Sequence, residues 1–214
     1  MEICCIGDLH GFMPDLGSGD LLIVCGDLTA THTEKEHFKF NEWLENQKYK
    51  KIIVVAGNHD TWIEQNGCLG TADYDEQILE YLCDSGTEFE GLKIWGSPWT
   101  KTFPNMNPHC KAFTCETEEE LSEKWAMIPD DIDILITHSP PYGIRDKNIH
   151  GECCGSKTLL IECASIKPLI HCFGHLHESY GDLWIPWKKG TKFINCSHVN
   201  ERYQSVNKPV RIIL

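Results

Sequence analysis

Residues 52–60 read Ile52-Ile53-Val54-Val55-Ala56-Gly57-Asn58-His59-Asp60. Five apolar residues in a row, mostly β-branched, form a strand without polar alternation, so both of its faces need cover. A glycine, an amide, an imidazole and a carboxylate follow at once. They therefore sit at the carboxyl end of a buried strand, where a rigid sheet lets loops converge on a ligand. Further apolar runs at residues 3–6, 21–25, 92–95, 132–136, 169–173, 193–196 and 210–214 read as strands too. The runs at 3–6, 21–25 and 52–56 cannot lie on a surface, which points to central strands of an α/β or layered sheet.

Helices fall between these runs. Thr33-Glu34-Lys35-Glu36 is a capping-box pattern, and His37, Phe40, Trp43 and Leu44 then share one face of a helix ending near Asn46. Thr117-Glu118-Glu119-Glu120 repeats the pattern ahead of Leu121, Trp125 and Ile128, and Pro129 stops that helix. A weaker helix is expected over residues 75–83, with Ile78, Leu79 and Leu82 inward, and another over 157–166 before Lys167-Pro168. Residues 96–115, rich in Pro and Asn, read as the longest irregular stretch. No repeat or linker interrupts residues 1–214, which are expected to form a single domain.

Composition bounds the function. The 214 residues are 41% hydrophobic, enough for a substantial core. Nineteen Lys and Arg against 32 Asp and Glu give a formal charge of −13, which repels polyanions and excludes a general basic grip on nucleic acid. No apolar run of about 18 residues and no basic leader with an apolar core occurs, so neither a membrane span nor a secretory signal is expected. Twelve cysteines would suit a disulfide scaffold in a secreted chain. Here Cys5, Cys25, Cys172 and Cys196 lie in or beside apolar runs, and the doublets Cys4-Cys5 and Cys153-Cys154 are adjacent. Cysteine as a small core residue of a reduced, cytoplasmic protein is the expected reading.

The chemistry follows the strands. The run at 3–6 leads into Gly7-Asp8-Leu9-His10, that at 21–25 into Gly26-Asp27, that at 132–136 into Thr137-His138, and that at 169–173 into Gly174-His175-Leu176-His177. Glycines 7, 26, 57 and 174 are expected to supply backbone angles for sharp exits. Asp8, His10, Asp27, Asn58, His138, His175 and His177 are oxygen and imidazole donors without thiolate, a set suited to manganese, iron or zinc. Two octahedral ions present about twelve positions, and with Asp27 shared these side chains fill about eight, leaving room for water and substrate. Two carboxylates against two dications leave a locally positive pocket in an acidic protein, and such a pocket attracts phosphate.

The ordered blocks Asp-x-His, Gly-Asp, Gly-Asn-His-Asp, His and Gly-His-x-His, over residues 7–177, resemble the signature of the calcineurin-like metallophosphoesterases. Residues 40–44, 95–99, 134–143 and 174–181 are similar to segments of the branch called metallophosphoesterase domain-containing proteins. The resemblance implies an α/β layered fold of two packed mixed β-sheets flanked by helices. It implies one metal on Asp8, His10, Asp27 and His177 and a second on Asp27, Asn58, His138 and His175, manganese first, with iron or zinc as options. Some members carry Gly at the position of His175; this chain keeps the His, so a complete binuclear centre is expected. The implied activity is phosphoester hydrolysis, foremost of small nucleotide-like phosphodiesters, by a metal-bridging hydroxide. His59 is the implied catalytic histidine beside the substrate, and Asp60 is expected to orient the loop or tune His59. Arg145, shortly after His138, is a candidate phosphate contact alongside Asn58 and His59.

The remaining candidates have plainer readings. His32, His37, His109, His150, His171 and His198 read as surface or core residues, with His198 the one that could reach the rim. Trp62, Trp99 and Tyr142 lie beside motifs and could stack on a base, although packing is the favoured reading. Among rival functions, a protein serine/threonine phosphatase requires Gly-Asp-x-x-Asp-Arg-Gly, where this chain has Gly26-Asp27-Leu28-Thr29-Ala30-Thr31-His32. Purple acid phosphatases place a metal-binding Tyr where Ala30 stands. A non-catalytic scaffold of the same fold typically loses the histidine that His59 retains. A small phosphate-ester substrate is the expected partner, with no membrane and no extended nucleic acid.

Overall fold

The apolar runs form strands that alternate their side chains between two covered faces. In the computed structural model, which describes residues 1–31, 33–70, 75, 77–103, 109–187 and 190–214, the strands are β1 (Glu2–Ile6), β2 (Ser18–Cys25), β3 (Lys48–Val55), β4 (Leu79–Tyr81), β5 (Ser85–Phe89), β6 (Leu92–Ser97), β7 (Thr100–Lys101), β8 (Thr114–Cys115), β9 (Ile134–Thr137), β10 (Ile170–Phe173), β11 (Gly181–Ile185), β12 (Thr191–Asn195) and β13 (Val210–Ile213). The helices are α1 (Glu34–Glu45), α2 (Thr61–Asn66), α3 (Glu118–Trp125) and α4 (Lys157–Ile166). One sheet has the order β13-β1-β2-β3-β4, the other β11-β12-β10-β9-β6-β5, and β7 pairs separately with β8. Both large sheets are mixed: their central pairs are parallel and β13, β11 and β5 are antiparallel at the edges.

Ile3, Cys5, Ile23, Cys25, Ile53 and Val55 of the first sheet face Ile94, Ile134, Ile136, Cys172, Ile194 and Cys196 of the second. The alternate residues Cys4, Ile6, Leu22, Val24, Ile52 and Val54 turn outward under Phe40 and Leu44 of α1 and Ile63 of α2. On the far side Leu135, Phe173 and Phe193 pack on Leu121 and Trp125 of α3 and on Leu159 and Cys163 of α4. This four-layer order explains why the central runs lack polar alternation: both faces of the central strands are covered. All twelve cysteines are free, and Cys5 and Cys172 meet at 3.3 Å between sulfurs inside the sheet-to-sheet core. No described helix is long and apolar enough to cross a membrane.

Helix starts follow the sequence closely. Thr117 and Glu120 form a complete capping box. Thr33 accepts from the Glu36 amide, but the Glu36 carboxylate turns back to the amides of Ala30 and Thr31, so α1 carries half a box. The helix expected over 75–83 is a correction, because residues 79–81 form β4, paired in parallel with Ile52 to Val54. The spacing of Leu79 and Leu82 fits a strand as well, with Leu79 facing the helix layer and Leu82 the sheet-to-sheet core. Edge strands β5 and β11 and the short α2 carry too few apolar residues to stand out from sequence. The irregular stretch 96–115 contains β7 and β8, while 104–108 lie outside the described residues, as does His32.

His171 is a buried core residue. Its Nε2 lies 2.8 Å from Thr137 Oγ1, and its Nδ1 lies 3.4 Å from the Cys163 sulfur. Thr137 donates its hydroxyl to the Ser139 carbonyl at 2.6 Å, so His171 donates from Nε2 and accepts at Nδ1. Burial pushes its imidazole down to about 3. The unfolded chain binds that proton near 6.5 and the folded chain does not, so this stability is full above pH 6.5 and is lost as pH falls toward 3. His171→Gln is therefore expected to flatten the fall of the urea midpoint below about pH 6.5. Parallel midpoint curves for variant and wild type would assign acid sensitivity to other groups.

Candidate metal centre

The two sheets bring their strand carboxyl ends to one place. A bridge joins Gly7 to Ser197 across the sheets. The Asp8 amide donates to the Gly26 carbonyl at 2.9 Å, His10 to Asp27 at 2.9 Å, and Gly174 to His138 at 3.2 Å. The loops after β1, β2, β9 and β10 thus hold one another rather than hanging free. Asp8, His10, Asp27 and His175 adopt φ of 48°, 42°, 51° and 70°. Left-handed backbone in four non-glycine residues is strain of the kind that collects at ligand sites, about 1–3 kcal/mol each.

The glycine expectation is corrected in part. Among 7, 26, 57 and 174, Gly26 has positive φ, at 84°. Gly57 and Gly174 serve close approach instead: a Cβ there would stand 2.4 Å from Asp27 Oδ1 and from Asp8 Oδ2. The strained angles fall on the donor residues and the missing side chains on their neighbours.

Two groups of donor atoms converge, each within 4.8 Å: Asp8, His10, Asp27 and His177 in one, Asp27, His138 and His175 in the other. Asn58 joins the second, its Oδ1 3.0 Å from His138 Nε2. Asp27 is shared, 3.7 Å from His10 Nε2 and 3.4 Å from His138 Nε2. His10 Nε2 and His177 Nε2 stand 3.1 Å apart, a spacing at which two imidazoles share a proton or a cation. His138 Nδ1 donates to the Cys25 carbonyl at 3.1 Å, which turns Nε2 to the cluster. Ser197 Oγ and the His175 amide bond the Asp8 carboxylate, and the His59 amide bonds Asp27 Oδ1 at 2.9 Å. Oxygen and imidazole donors with their outer partners in place fit divalent cations.

Charge in the cluster is arranged pairwise. Burial opposes ionisation of Asp8, but the His177 imidazole outweighs it and holds the carboxyl at about 2. Burial likewise opposes Asp27, and His138, His59 and His10 together keep it well below the usual carboxylate range. His138 shows the reciprocal effect: burial lowers it, the Asp27 charge more than compensates, and it rises to about 9. Burial pushes His10 down to about 4 and His175 to about 3.

His59 stands beside this cluster, its Nε2 4.0 Å from Asp27 Oδ2 and its Nδ1 3.6 Å from the Cys110 sulfur. Asp60 is buried away from the opening. Its carboxylate accepts from the amides of Leu28, Thr29 and Gly57 at 3.0, 3.2 and 2.8 Å. It pins the Asp27 loop to the Asn58 loop. Burial and the Asp27 charge raise it to about 7. Arg145 is not brought to the cluster: its guanidinium donates to the Asp182 carbonyl, because a left-handed turn at φ 48° aims the side chain along β11.

His37 stacks on Trp62 at 4.1 Å and donates from Nε2 to the Leu69 carbonyl at 2.7 Å. Trp99 packs on Phe113 and donates to Asp84. His198 does not reach the opening; it ties down its own loop through Asn207 and Ser205. That loop carries the residue the sequence reading missed. The Tyr203 ring lies 4.8 Å from His10 and 5.2 Å from His177. No motif marks it, since seven residues of loop separate it from β12.

The calcineurin-like phosphoesterase family profile matches residues 1–179. The chain is 32% identical to UPF0046 protein T07D4.2 of Caenorhabditis elegans, over 98% of this chain and 59% of that protein's length. It is 33% identical to human metallophosphoesterase domain-containing protein 1, over 98% of this chain and 70% of the relative. TT1561 of Thermus thermophilus shares the fold at a TM-score of 0.58 and 14% identity, covering 91% of this chain and 88% of that one. A purple acid phosphatase from yellow lupin does so at 0.54 and 11%, covering 99% of this chain and 47% of that one. With the ordered motif blocks meeting in one donor cluster and the family matched over most of its length, the chain belongs to the calcineurin-like phosphoesterases.

Proposed function

We propose that this protein hydrolyses phosphate esters, foremost phosphodiesters of small nucleotide-like compounds, at a binuclear centre. Asp8, His10, Asp27 and His177 would hold one divalent cation, and Asp27, Asn58, His138 and His175 the other, with manganese the best match to carboxylate, amide and imidazole donors. The observation that carries this reading is the pair of donor groups sharing Asp27, with His59 beside them rather than among them. The printed name of the human relative, a metallophosphoesterase domain-containing protein, supports it. Cations bound there would supply an activated water and neutralise phosphoryl charge.

The protein's own groups do the rest. Asn58 donates from Nδ2 to the Cys110 carbonyl at 3.3 Å, which keeps Oδ1 on the His138 side. Asp60 holds the two loops at fixed separation, and His59 is placed to hydrogen-bond the departing oxygen and give it a proton. A protein phosphatase is the weaker reading, because Ala30 and Thr31 replace the Asp-Arg pair of that group's second motif. The cysteines, used as core residues, suit a reducing compartment, and we place the protein in the cytoplasm.

Chelation followed by reloading tests the reading. Stripped protein should be inactive on chromogenic diester and monoester substrates while keeping its far-ultraviolet circular dichroism, since the layered core carries the fold. Manganese should restore turnover ahead of magnesium, zinc and iron, and bound metal should approach two per chain. Activity that survives complete stripping, or a stoichiometry fixed at one, would overturn the binuclear proposal.

A further inference from the structure

A cavity of about 550 Å3 opens over the donor cluster, and His175 and His177 form part of its wall. Two aromatic rings, Tyr203 and Phe103, also line it. The Tyr203 ring stands nearly perpendicular to His10 and His177, at 75° and 88°, and remains 44% exposed. Phe103 lies nearly parallel to His175, at 24° and 5.8 Å. One ring is therefore set against each of the two donor groups. Ile149, 65% exposed, adds an apolar patch to the same wall.

The position of Tyr203 is held by its own loop. Its backbone is left-handed, at φ 56°, a conformation an aromatic residue rarely adopts without compensation. The compensation comes from Asn200, whose carbonyl accepts from the Tyr203 amide at 2.8 Å and whose Oδ1 accepts from the amides of Arg202 and Gln204 at 3.0 and 2.9 Å. A bridge between Val199 and Ser205 closes the turn, and His198 fixes its base through Asn207 at 2.9 Å and Ser205 at 2.7 Å. A loop that accepts strain to hold a half-exposed aromatic ring against two metal-competent imidazoles has a use for the ring's outer surface.

We infer that Tyr203 is a specificity-determining residue of this site: its ring, with Phe103 as the second wall, receives a planar aromatic group attached to the phosphorus-bearing head that the donor cluster binds. The inference rests on the phosphoester reading above. Aromatic surface fits that occupant because ring faces stack on any π system with little demand on hydrogen-bond pattern. Of the stacking candidates beside the motifs, Trp62 and Trp99 are engaged in packing and Tyr142 lies under the Lys157 ammonium at 5.3 Å, outside the cavity wall, which leaves this role to the two rings at the cavity.

Calorimetric titration of manganese-loaded protein with phenylphosphonate and methylphosphonate tests it without turnover, since the two probes share a head and differ in the ring. Wild type should bind the phenyl probe about tenfold more tightly. Tyr203→Ala should erase most of that preference while leaving the methyl affinity and the metal content unchanged, and Tyr203→Phe should keep it. Wild type that binds both probes equally, a preference that survives Tyr203→Ala, or an equal loss on both probes would overturn the role of Tyr203 and leave the phosphoester reading standing. Failure of wild type to bind either probe would overturn that reading itself.

Discussion

Asp27→Asn is expected to abolish turnover, with a loss of more than about 10³-fold, well beyond the 10- to 100-fold typical when only an outer partner of a metal ligand is removed. The reason lies in the geometry. Asp27 is the one residue common to both donor groups, with His10 on one side and His138 on the other. An amide keeps the shape but removes the charge and presents a donor where one of the groups needs an acceptor. The folded state should survive with a lowered thermal midpoint, because the layered core carries the fold while the substitution removes the buried charge that His138, His59 and His10 face. Turnover, bound metal per chain and the thermal midpoint of the metal-free protein, measured together, check this. Near-wild-type activity with metal content unchanged would show that Asp27 does not join two sites.

His59→Ala is expected to cost about 10²- to 10⁴-fold in turnover, the range for a positioned general acid, while metal content stays at the wild-type value. Metal binding is insulated because the contact from residue 59 to Asp27 Oδ1 is made by its backbone amide, which alanine retains, and its ring belongs to neither donor group. The loss should depend on the leaving group. A nitrophenolate departs with little need of a proton, whereas the alkoxide of a nucleotide diester is strongly basic, so the diester should lose more. Equal losses on the two substrates would assign His59 to electrostatic stabilisation, and no loss on either would remove it from the mechanism.

Much of the site was legible because each donor directly follows an apolar run. A buried strand has a definite end, and a loop emerging there has a short list of places to go. The eight apolar runs all proved to be strands, and for the central ones two covered faces leave a signal that needs no neighbours to interpret. Edge strands β5 and β11, with one face open, carry no such signal. Residues 75–83 misled because apolar residues spaced by one, three and four fit a short helix as well as a strand. What decided for β4 was the open edge of β3, a partner distant in sequence.

The sequence by itself determined the chemistry available: which residues can bind metal, in what order, and that thiols are not among them. Tertiary structure decided which of those residues meet. Asp60 and His59 are neighbours in the chain, yet one is turned inward to three backbone amides and the other faces the shared carboxylate. Arg145 was drawn to a carbonyl of β11, and Tyr203, with no motif around it, was brought over His10 and His177 by a strained turn. The physical reason is the same in each case. Residue type and spacing fix a side chain's chemistry and its distance along a strand, but the direction in which a loop residue points depends on backbone angles and hydrogen-bond partners that other segments supply.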